Sequence, residues 1–350
     1  MKLSDFFSSA RTKRIVINSD IDGLLSGMLL QKYYDCEIVG FSNSKDAIWL
    51  KPEVGSLDEP IYIDIFINKP NVFCIDQHVV AYDKDHLERL LSYGTKLNPN
   101  LDISKRTFIG DLGRTRGYFN KYPFGTVHYL IALMKQDGLE IKLGDLNKRY
   151  KARNTSYSIS LGEMILRADD ALTTSLSQSF KENAFEWWNK LSQYDSHTIQ
   201  QLKEFLYSHK TEESRKIKEN ATDFFIKGLY CDGPDGAFNN VTKTGETYIQ
   251  DKIQRYIEAI GEMMDIKLIY PREVLKYCGK YHVEDYSQEA INKAYTYAFV
   301  FGPNREKHFS YTTDFEKVVI PSLDDIVMDE SFGEFKDLFE MFGIGDFSKE

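Results

Sequence analysis

Short apolar runs rich in β-branched residues alternate with amphipathic helical stretches through the first half of the sequence. This alternation constrains the fold more than any other feature of the chain. The strand-like runs are Arg14–Asn18, Glu37–Ser42, Ile61–Ile67 and Val72–Asp76, and the helical stretches are Leu24–Tyr34, Asp83–Tyr93 and Gly125–Gln136. Strands that alternate with helices are typical of a parallel sheet covered on both faces. The pattern therefore predicts an α/β fold.

The length of the chain predicts more than one domain. A chain of 350 residues exceeds the usual size of a single hydrophobic core. We expect a parallel-sheet α/β domain over residues 1–178, a polar helical connector over 179–228, and a smaller C-terminal αβ domain over 229–350 that ends in an acidic tail. The elements expected in the last segment are a helix over Tyr248–Met264 and strands over Ile266–Tyr270 and Tyr297–Phe301, with Lys307–Tyr311 as a hairpin partner.

The charge balance favours a small anionic substrate over long nucleic acid. The formal net charge is −9 and the isoelectric point is about 5.4. Proteins that bind long nucleic acid usually present a basic face, because neutralisation of phosphates supplies much of their affinity. The four cysteines form no CxxC pair, so they predict neither a zinc site nor a disulfide framework. Because the sequence has no apolar signal segment and no long apolar run, we expect a cytoplasmic protein that does not enter a membrane.

Two aspartates follow the first predicted strand. Asp20 and Asp22 come directly after Arg14–Asn18, and Gly23 introduces the helix that follows. Ligands of open α/β sheets bind at the carboxyl ends of the strands, so both carboxylates are candidates for a binding site. Aspartates in this position also cap helix N-termini, and that structural interpretation carries comparable weight. Ser26, in the first turn of that helix, is a candidate anion ligand.

Aspartates recur at the later strand-like runs, and this recurrence favours the functional interpretation. Asp64 interrupts the apolar run Ile61–Ile67, where an unpaired carboxylate would be costly. Asp76 ends the next run, two residues before His78, and Asp169 follows an apolar helical stretch. Several carboxylates at the ends of neighbouring strands repel one another unless cations neutralise them. The sequence therefore predicts a metal centre.

The order of these motifs resembles the DHH phosphoesterase superfamily, which includes RecJ-like exonucleases, oligoribonucleases, cyclic-dinucleotide phosphodiesterases and family II inorganic pyrophosphatases. The resemblance covers roughly the first half of the chain. Its elements, in order, are Asn18–Leu30, Asp64, the triplet Asp76-Gln77-His78 in place of Asp-His-His, Leu97–Asn100 with Tyr122–Leu130, and Asp169. The resemblance implies a parallel-sheet domain that hydrolyses a phosphate ester with the help of metal ions.

The resemblance also implies a role for each acidic residue. Two Mn²⁺ or Mg²⁺ ions would be bridged by Asp64, with Asp20 on the first ion and Asp22 and Asp169 on the second. His78 would contact the substrate phosphate rather than a metal ion. A bridging hydroxide would attack phosphorus, because two cations lower the pKa of bound water and hold both the attacking and the leaving oxygen.

Two positions depart from the family pattern. Asn18 stands where His or Asp is usual, and Gln77 stands where a metal-binding His is usual. An amide oxygen can bind a hard cation but adds no charge. Both residues are therefore candidate metal ligands. The alternatives that follow from the two amides are weaker metal binding, a preference for Mg²⁺, a single ion, or loss of catalysis.

The expected reaction is hydrolysis of a phosphodiester in a small nucleotide or a short oligonucleotide. The alternative is a degenerate member of the family that binds a nucleotide or a protein partner without cleaving it. Pyrophosphate is less favoured because lysine and arginine clusters are lacking in the matching places, and single-stranded DNA would need a basic groove. The candidate substrate-binding residues are Ser26, Arg114, Arg116, Arg305 and His308. The sequence leaves the number of ions and the oligomeric state open.

Overall fold

The structure, a computed structural model, describes residues 2–44, 47–67, 70–78, 84–102, 121–193 and 197–278, and beyond them residues 281–285, 299–300, 317–321 and 327–328. The strands are β1 (Arg14–Asn18), β2 (Glu37–Ser42), β3 (Ala47–Leu50), β4 (Ile61–Ile63), β5 (Phe66–Ile67), β6 (Cys74–Ile75), β7 (Lys96–Leu97), β8 (Arg149–Lys151), β9 (Ser158–Ser160), β10 (Leu275–Cys278), β11 (Tyr281–Asp285), β12 (Phe299–Val300), β13 (Lys317–Pro321) and β14 (Val327–Met328). The helices are α1 (Leu3–Ala10), α2 (Ile21–Tyr34), α3 (Lys84–Ser92), α4 (Pro99–Asp102), α5 (Thr126–Gln136), α6 (Leu161–Ile165), α7 (Ala171–Leu176), α8 (Lys181–Ser192), α9 (His197–Tyr207), α10 (Thr211–Asp223) and α11 (Asp251–Met264).

Eight strands of the described chain form one sheet, in the order β14-β10-β3-β2-β1-β4-β6-β7. The five strands from β2 to β7 in this order pair in parallel, and β3, β10 and β14 extend the sheet in antiparallel fashion on one side. Ile15, Val16 and Ile17 of β1 are fully buried. Such β-branched residues suit a central strand, because both faces of a parallel sheet are covered. The predicted α/β fold with a mostly parallel sheet is confirmed.

The parallel arrangement places the carboxyl ends of β1, β4, β6 and β7 at one edge of the sheet. Polar residues end or directly follow these four strands, namely Asn18, Asp64, Asp76 and Asn98. The backbone amide of Asp64 still bonds to the Ile75 carbonyl (2.8 Å), so the hydrogen-bond ladder continues one residue beyond β4. Because neighbouring strands lie about 4.8 Å apart, polar side chains at these strand ends share a small volume.

The predicted strand Ile61–Ile67 is interrupted at Asp64. β4 ends at Ile63, Asp64 adopts a left-handed conformation (φ 61°), and the chain continues as β5, which pairs with β12 instead of the main sheet. The prediction that Asp64 lies within a strand is therefore wrong. Aspartate tolerates the left-handed region better than the β-branched residues around it, so the break falls on this residue. Asp64 consequently lies at the end of the sheet.

The prediction of a strand over Ile266–Tyr270 is also wrong. These residues form an irregular segment after α11, and the Ile266 amide bonds to the Gly261 carbonyl (3.0 Å) as part of the helix C-cap. Ile266 and Leu268 are buried, so their alternation reflects the packing of a capped helix end. The strand of this region is β10, which pairs with β3. The predicted hairpin partner Lys307–Tyr311 lies outside the described residues.

The predicted helical stretch over residues 179–228 forms α8, α9 and α10, followed by a π-helical turn at Phe224–Gly228. Trp187 and Trp188 of α8 are fully buried and pack against Tyr122 and Phe124. The boundaries expected at 178 and 228 stay predictions, and β10 from the third segment shares the sheet of the first. Among the described helices, none combines the length and the apolar character that a membrane span requires.

His128 lies on the buried face of α5. Its ring is in edge-to-face contact with the rings of Phe124 and Trp188. Burial lowers the pKa of His128 to about 4, against the opposing effect of the backbone at Gly125 and Ile165. The neutral imidazole is therefore the form that the fold accommodates, and protonation of His128 opposes folding.

We expect His128 to make the fold less stable as the pH falls. Because the pKa of His128 is lower in the folded than in the unfolded chain, a falling pH protonates the unfolded chain first and favours it. The stability is therefore fully present above the unfolded pKa and is lost between about pH 6.5 and pH 4. The loss between pH 7 and pH 5 is about 2 kcal/mol. Urea unfolding of the wild type and of His128→Leu at both pH values isolates this contribution, because leucine has a similar volume and does not titrate. The same pH dependence in both proteins would contradict the expectation.

Candidate metal centre

Asp20 lies at the junction of β1 and α2. Its Oδ1 accepts a hydrogen bond from the Gly23 amide (2.9 Å) and so caps the helix. Gly23 packs so closely on the end of β1 that a Cβ would lie 2.3 Å from the Asn18 carbonyl oxygen, which only glycine avoids. The capping interpretation of Asp20 is confirmed. The cap uses one carboxylate oxygen and leaves the other facing the Asn18 amide.

Asp22 reaches from the first turn of α2 to the N-terminus of α5. One carboxylate oxygen accepts a hydrogen bond from the Val127 amide (2.8 Å), and the other accepts one from the Thr126 amide (2.6 Å). Unpaired amides at a helix N-terminus favour an anion there. Gly125 allows the approach, since a Cβ at that position would lie 2.8 Å from both Cγ and Oδ1 of Asp22. The orientation of this carboxylate is therefore fixed by a second helix.

Asp64 is almost completely buried beyond the end of β4. Its Oδ1 accepts a hydrogen bond from the Thr126 hydroxyl (2.9 Å), and its Oδ2 accepts one from the Asn18 amide (3.1 Å). Both partners are neutral, so they orient the carboxylate without cancelling its charge. The left-handed backbone of Asp64 costs about 1 kcal/mol or more, and such residues cluster at functional sites.

Asp169 and Asp170 share a sharp turn before α7. Both adopt left-handed backbone, with φ values of 48° and 52°. The Asp170 carboxylate pairs with the buried Arg167 and with Lys218 of α10 (2.5 Å). Asp169 points elsewhere and forms no ion pair with either cation among the contacts that the structure describes. The turn therefore directs the two adjacent aspartates to different places: Asp170 forms ion pairs, and Asp169 is available to the site.

Asp22, Asp64 and Asp169 come together at the carboxyl end of the sheet, and we call these three residues the acidic cluster. One carboxylate oxygen from each lies within 4.8 Å of the other two. Asp20 stands beside the acidic cluster, because the Asn18 amide nitrogen bonds to both Asp20 and Asp64. The structure thus brings together the four aspartates that the sequence singles out.

Asp76 and His78 form a buried pair next to the acidic cluster. His78 Nδ1 lies 2.5 Å from one oxygen of Asp76, and the His78 backbone amide bonds to the other (2.7 Å). His78 Nδ1 also lies 4.0 Å from Asp64, so Asp64, Asp76 and His78 form a second group with metal-ligand spacing. Burial lowers the pKa of His78, but the Asp76 carboxylate outweighs this effect and raises it to about 9. Asp76 fixes the ring through Nδ1 and leaves Nε2 as the nitrogen that can meet a substrate.

Gln77 links this pair to the acidic cluster. Its amide nitrogen donates to Asp169 and lies 3.1 Å from His78 Nε2. Its backbone carbonyl accepts a hydrogen bond from Asn100 (2.7 Å), which ends the Leu97–Asn100 segment that the family resemblance includes. Gln77 therefore presents nitrogen to the carboxylate, which differs from the expected ligation of a metal ion through its oxygen.

Asn18 also presents its nitrogen to the carboxylates. Its oxygen accepts hydrogen bonds from the Ser19 amide (3.0 Å) and from the Ser44 hydroxyl (2.6 Å). Its nitrogen consequently donates to Asp20 (2.6 Å) and Asp64 (3.1 Å). A backbone amide is always a donor, so the fold itself sets this orientation. Ligation of a metal ion through the Asn18 oxygen stays a prediction, and the hydrogen bonds from Ser19 and Ser44 compete with it.

Burial and mutual repulsion raise the pKa values of the carboxyls at the site. Burial is the largest effect for Asp64, and the charges of Asp22 and Asp20 add to it, so its pKa lies well above the usual range. Burial also raises the pKa of Asp22, against its backbone hydrogen bonds. Asp169 keeps an exposed edge, yet the protein packed around its carboxyl raises the pKa of Asp169 to about 7, with His78 opposing this effect. Each carboxyl therefore resists ionisation beside its neighbours.

The donor set of the acidic cluster suits a hard divalent cation. Three carboxylates supply oxygen ligands, which Mg²⁺ and Mn²⁺ prefer. A cation among them would relieve the repulsion that raises their pKa values. Lys121 contributes a positive charge that lowers the pKa of Asp169, but burial and the neighbouring acids outweigh it. The residues present therefore fit the metal ion that the family resemblance implies.

A turn from the later part of the chain encloses the first motif. Ser19 and Phe238 exchange two hydrogen bonds (3.0 and 2.9 Å), and the Asp235 carbonyl accepts one from the Ile21 amide (3.0 Å). Asp235 thereby comes close to Asp20 and, after burial, is the next largest cause of the raised pKa of Asp20. Sequence patterns identify residues 231–240 only as turn-rich, so they do not reveal this acidic neighbour. The repeated Asp-Gly pairs of that turn are the only local signal.

The structure neither supports nor contradicts the five candidate substrate-binding residues. Arg114, Arg116, Arg305 and His308 lie outside the described residues. Ser26 is fully buried in α2, and its hydroxyl makes no hydrogen bond within the described part of the chain. Contact between any of these five residues and a substrate stays a prediction.

Comparison of the chain with models of protein families, with curated proteins and with solved structures finds no match. Motif order and site geometry are therefore the two grounds on which a function can be argued. Both refer to the same four aspartates, Asp20, Asp22, Asp64 and Asp169.

Gly125→Ala should weaken metal binding by displacing Asp22. The added Cβ would lie 2.8 Å from the Asp22 carboxyl and equally close to the Cβ of Ala168, so the carboxylate must move away from the α5 amides. We expect the Mn²⁺ affinity, measured by calorimetry, to fall about tenfold or more. Gly55→Ala is the control, because its Cβ would meet open space. Equal affinities in the two variants would contradict this role of Gly125.

Asp169→Asn and Asp170→Asn should have opposite effects. Asp169→Asn removes a charge from the acidic cluster, so the metal-free protein should melt a few degrees higher and lose its stabilisation by Mn²⁺. Asp170→Asn leaves the buried Arg167 without its anionic partner, so the free energy of unfolding should fall by roughly 3 kcal/mol and the melting temperature should fall with it. Mn²⁺ should still stabilise this variant. Thermal melting with Mn²⁺ and with EDTA measures both effects. The same metal response in both variants would refute the assignment.

Proposed function

We propose that this chain is a metal-dependent phosphoesterase that hydrolyses a phosphodiester in a small nucleotide or a short oligonucleotide. One observation carries the proposal: Asp22, Asp64 and Asp169 come from separate elements and bring one oxygen each within 4.8 Å of the others. Asp22 and Asp64 are buried and Asp169 is exposed, and two buried carboxylates in such proximity are costly unless they bind a cation. The resemblance of the motif order to the DHH superfamily supports the same reaction.

The side chains around the acidic cluster would hold its carboxylates in place for an Mg²⁺ or Mn²⁺ ion. The α5 amides orient Asp22, and the Thr126 hydroxyl and the Asn18 amide orient Asp64. Such supporting hydrogen bonds tune the affinity of a ligand set and keep it rigid. The cation would supply the positive charge that activates water and neutralises charge developing on the phosphate.

His78 would act on the substrate from beside the acidic cluster. Asp76 holds its Nδ1, and the raised pKa of His78, about 9, keeps the ring protonated at neutral pH. A protonated Nε2 donates a hydrogen bond to a phosphate oxygen or a proton to the leaving group. Since Gln77 lies 3.1 Å from Nε2, its amide must then turn its oxygen towards the ring or move aside.

The electrostatics of the chain favour a small substrate. The formal net charge is −9, and Asp235 lies close to Asp20 beside the acidic cluster. A long polyanion would meet this repulsion over many phosphates, whereas one scissile phosphate would meet the cation. Long nucleic acid is therefore disfavoured as a substrate.

A second candidate function is binding of a nucleotide, or of a protein partner, without cleavage. The observation that favours it is the orientation of Asn18 and Gln77, which direct amide nitrogens at carboxylates of the site. Nitrogen donors in these positions add no ligand to a catalytic ion. A site that binds metal weakly could retain ligand binding and lose turnover.

Hydrolysis assays of the purified chain with Mn²⁺ or Mg²⁺ test the proposal. The substrates are bis-p-nitrophenyl phosphate, a dinucleotide, cyclic dinucleotides, pyrophosphate and labelled single-stranded DNA. We expect cation-dependent turnover of the small diesters that falls to background in Asp64→Asn, because this carboxylate is central to the acidic cluster. Asp145→Asn is the matched control, since Asp145 is exposed and its carboxylate accepts a local hydrogen bond from Asn147.

Each pattern of results has a distinct meaning. Turnover in the wild type and in Asp145→Asn, but not in Asp64→Asn, supports the phosphoesterase. Equal turnover in Asp64→Asn would contradict it. No turnover of any substrate, together with cation-dependent nucleotide binding, would favour the second candidate function.

A further inference from the structure

Asn18 fills the space between two carboxylates of the site. Its amide nitrogen lies 2.6 Å from one oxygen of Asp20 and 3.1 Å from one oxygen of Asp64. The amide oxygen is held by the Ser19 backbone amide and the Ser44 hydroxyl, and the residue is 3% exposed. The Ser19 amide also bonds to the Ser42 carbonyl (2.7 Å), and rotation of the Asn18 side chain would set its NH₂ group against that N–H, donor facing donor. The nitrogen is therefore fixed between the two carboxylates.

An amide nitrogen in this position competes with a metal ion. It carries two N–H donors and no lone pair for coordination, so it cannot serve as a ligand. A cation that bridges Asp20 and Asp64 would have to occupy the place where the nitrogen lies. The second oxygen of Asp20 is also used, because it accepts the Gly23 amide. Both oxygens of Asp22 and of Asp64 accept hydrogen bonds as well, so the nitrogen that lies between Asp20 and Asp64 is what excludes a cation there.

The acidic cluster differs from this arrangement. Asp22, Asp64 and Asp169 each keep one oxygen within 4.8 Å of the other two. In the neighbouring group, two hydrogen bonds join Asp76 to His78, one of them to the imidazole ring. Of these groups in the described part of the chain, the acidic cluster is the one whose carboxylates are left facing one another.

We infer that the site takes a single divalent cation, held by Asp22, Asp64 and Asp169, and that the Asn18 amide replaces a second cation between Asp20 and Asp64. The inference rests on the proposed function for the presence of a metal centre and goes beyond it in fixing the number of ions. Asn18 is then a positioning residue: it orients Asp20 and Asp64 as a cation would, without providing a Lewis acid.

The number of Mn²⁺ ions bound by the folded chain tests this inference. Calorimetry of the wild type should give one Mn²⁺ per chain, with an electron paramagnetic resonance spectrum of an isolated ion. Asn18→Asp replaces the nitrogen with a carboxylate oxygen of the same shape and should admit a second ion. Two ions about 3.5–4 Å apart give a spin-coupled spectrum. Asn239→Asp makes the same charge change at an exposed position of the neighbouring turn and should still bind one ion.

Failure of the inference is distinguishable from failure of the proposed function. Two coupled Mn²⁺ ions in the wild type would overturn the inference and leave the phosphoesterase proposal standing. One ion in a folded Asn18→Asp variant would overturn the role of Asn18. If circular dichroism shows that this variant does not fold, Asn18→Ser removes the nitrogen without adding charge and should bind a second, weaker ion; one ion would again overturn the inference. Absence of Mn²⁺ binding in the wild type would contradict both proposals.

Discussion

Repulsion among Asp22, Asp64 and Asp169 is the physical constraint on which the rest of the site depends. Two unit charges about 4 Å apart repel by about 4 kcal/mol at an effective dielectric constant of about 20. The fold holds the three carboxylates near one another through specific contacts. Helix amides hold Asp22 in the space that Gly125 leaves open, and left-handed backbone turns Asp64 and Asp169 towards it. Such an arrangement is consistent with a site that stores unfavourable energy for a ligand to relieve.

Much of this organisation could be predicted because it is local in the sequence. Runs such as Arg14–Asn18 carry the β-branched residues of a buried parallel strand, and helical spacing marks the stretch that becomes α2. Parallel strands place their carboxyl ends at one edge, so aspartates after such runs must approach one another. Asp20 and Asp22 follow from that rule, whereas Asp64 was expected inside a strand and only the structure places it after one. The prediction of Asp169 depended in addition on the order of the motifs, because this residue follows a helix rather than a strand.

Other features could not be predicted because they depend on residues distant in the sequence. The Asn18 amide points its nitrogen at the carboxylates because Ser44, after the neighbouring strand, occupies its oxygen. Asp235 reaches Asp20 through a turn more than 200 residues later in the chain. The break at Asp64 is a single left-handed residue in an otherwise apolar run, and composition does not report backbone dihedral angles. Ile266 likewise resembled a strand residue because a capped helix end buries apolar side chains in alternation.

Anomalous X-ray diffraction from crystals grown with Mn²⁺ would test the metal centre most directly, because it locates the ion without reliance on activity. The geometry calls for an anomalous peak bounded by the carboxylate oxygens of Asp22, Asp64 and Asp169, with the Asn18 nitrogen still bonded to Asp20. A structure from such crystals without an anomalous peak at that position would contradict the existence of the metal centre.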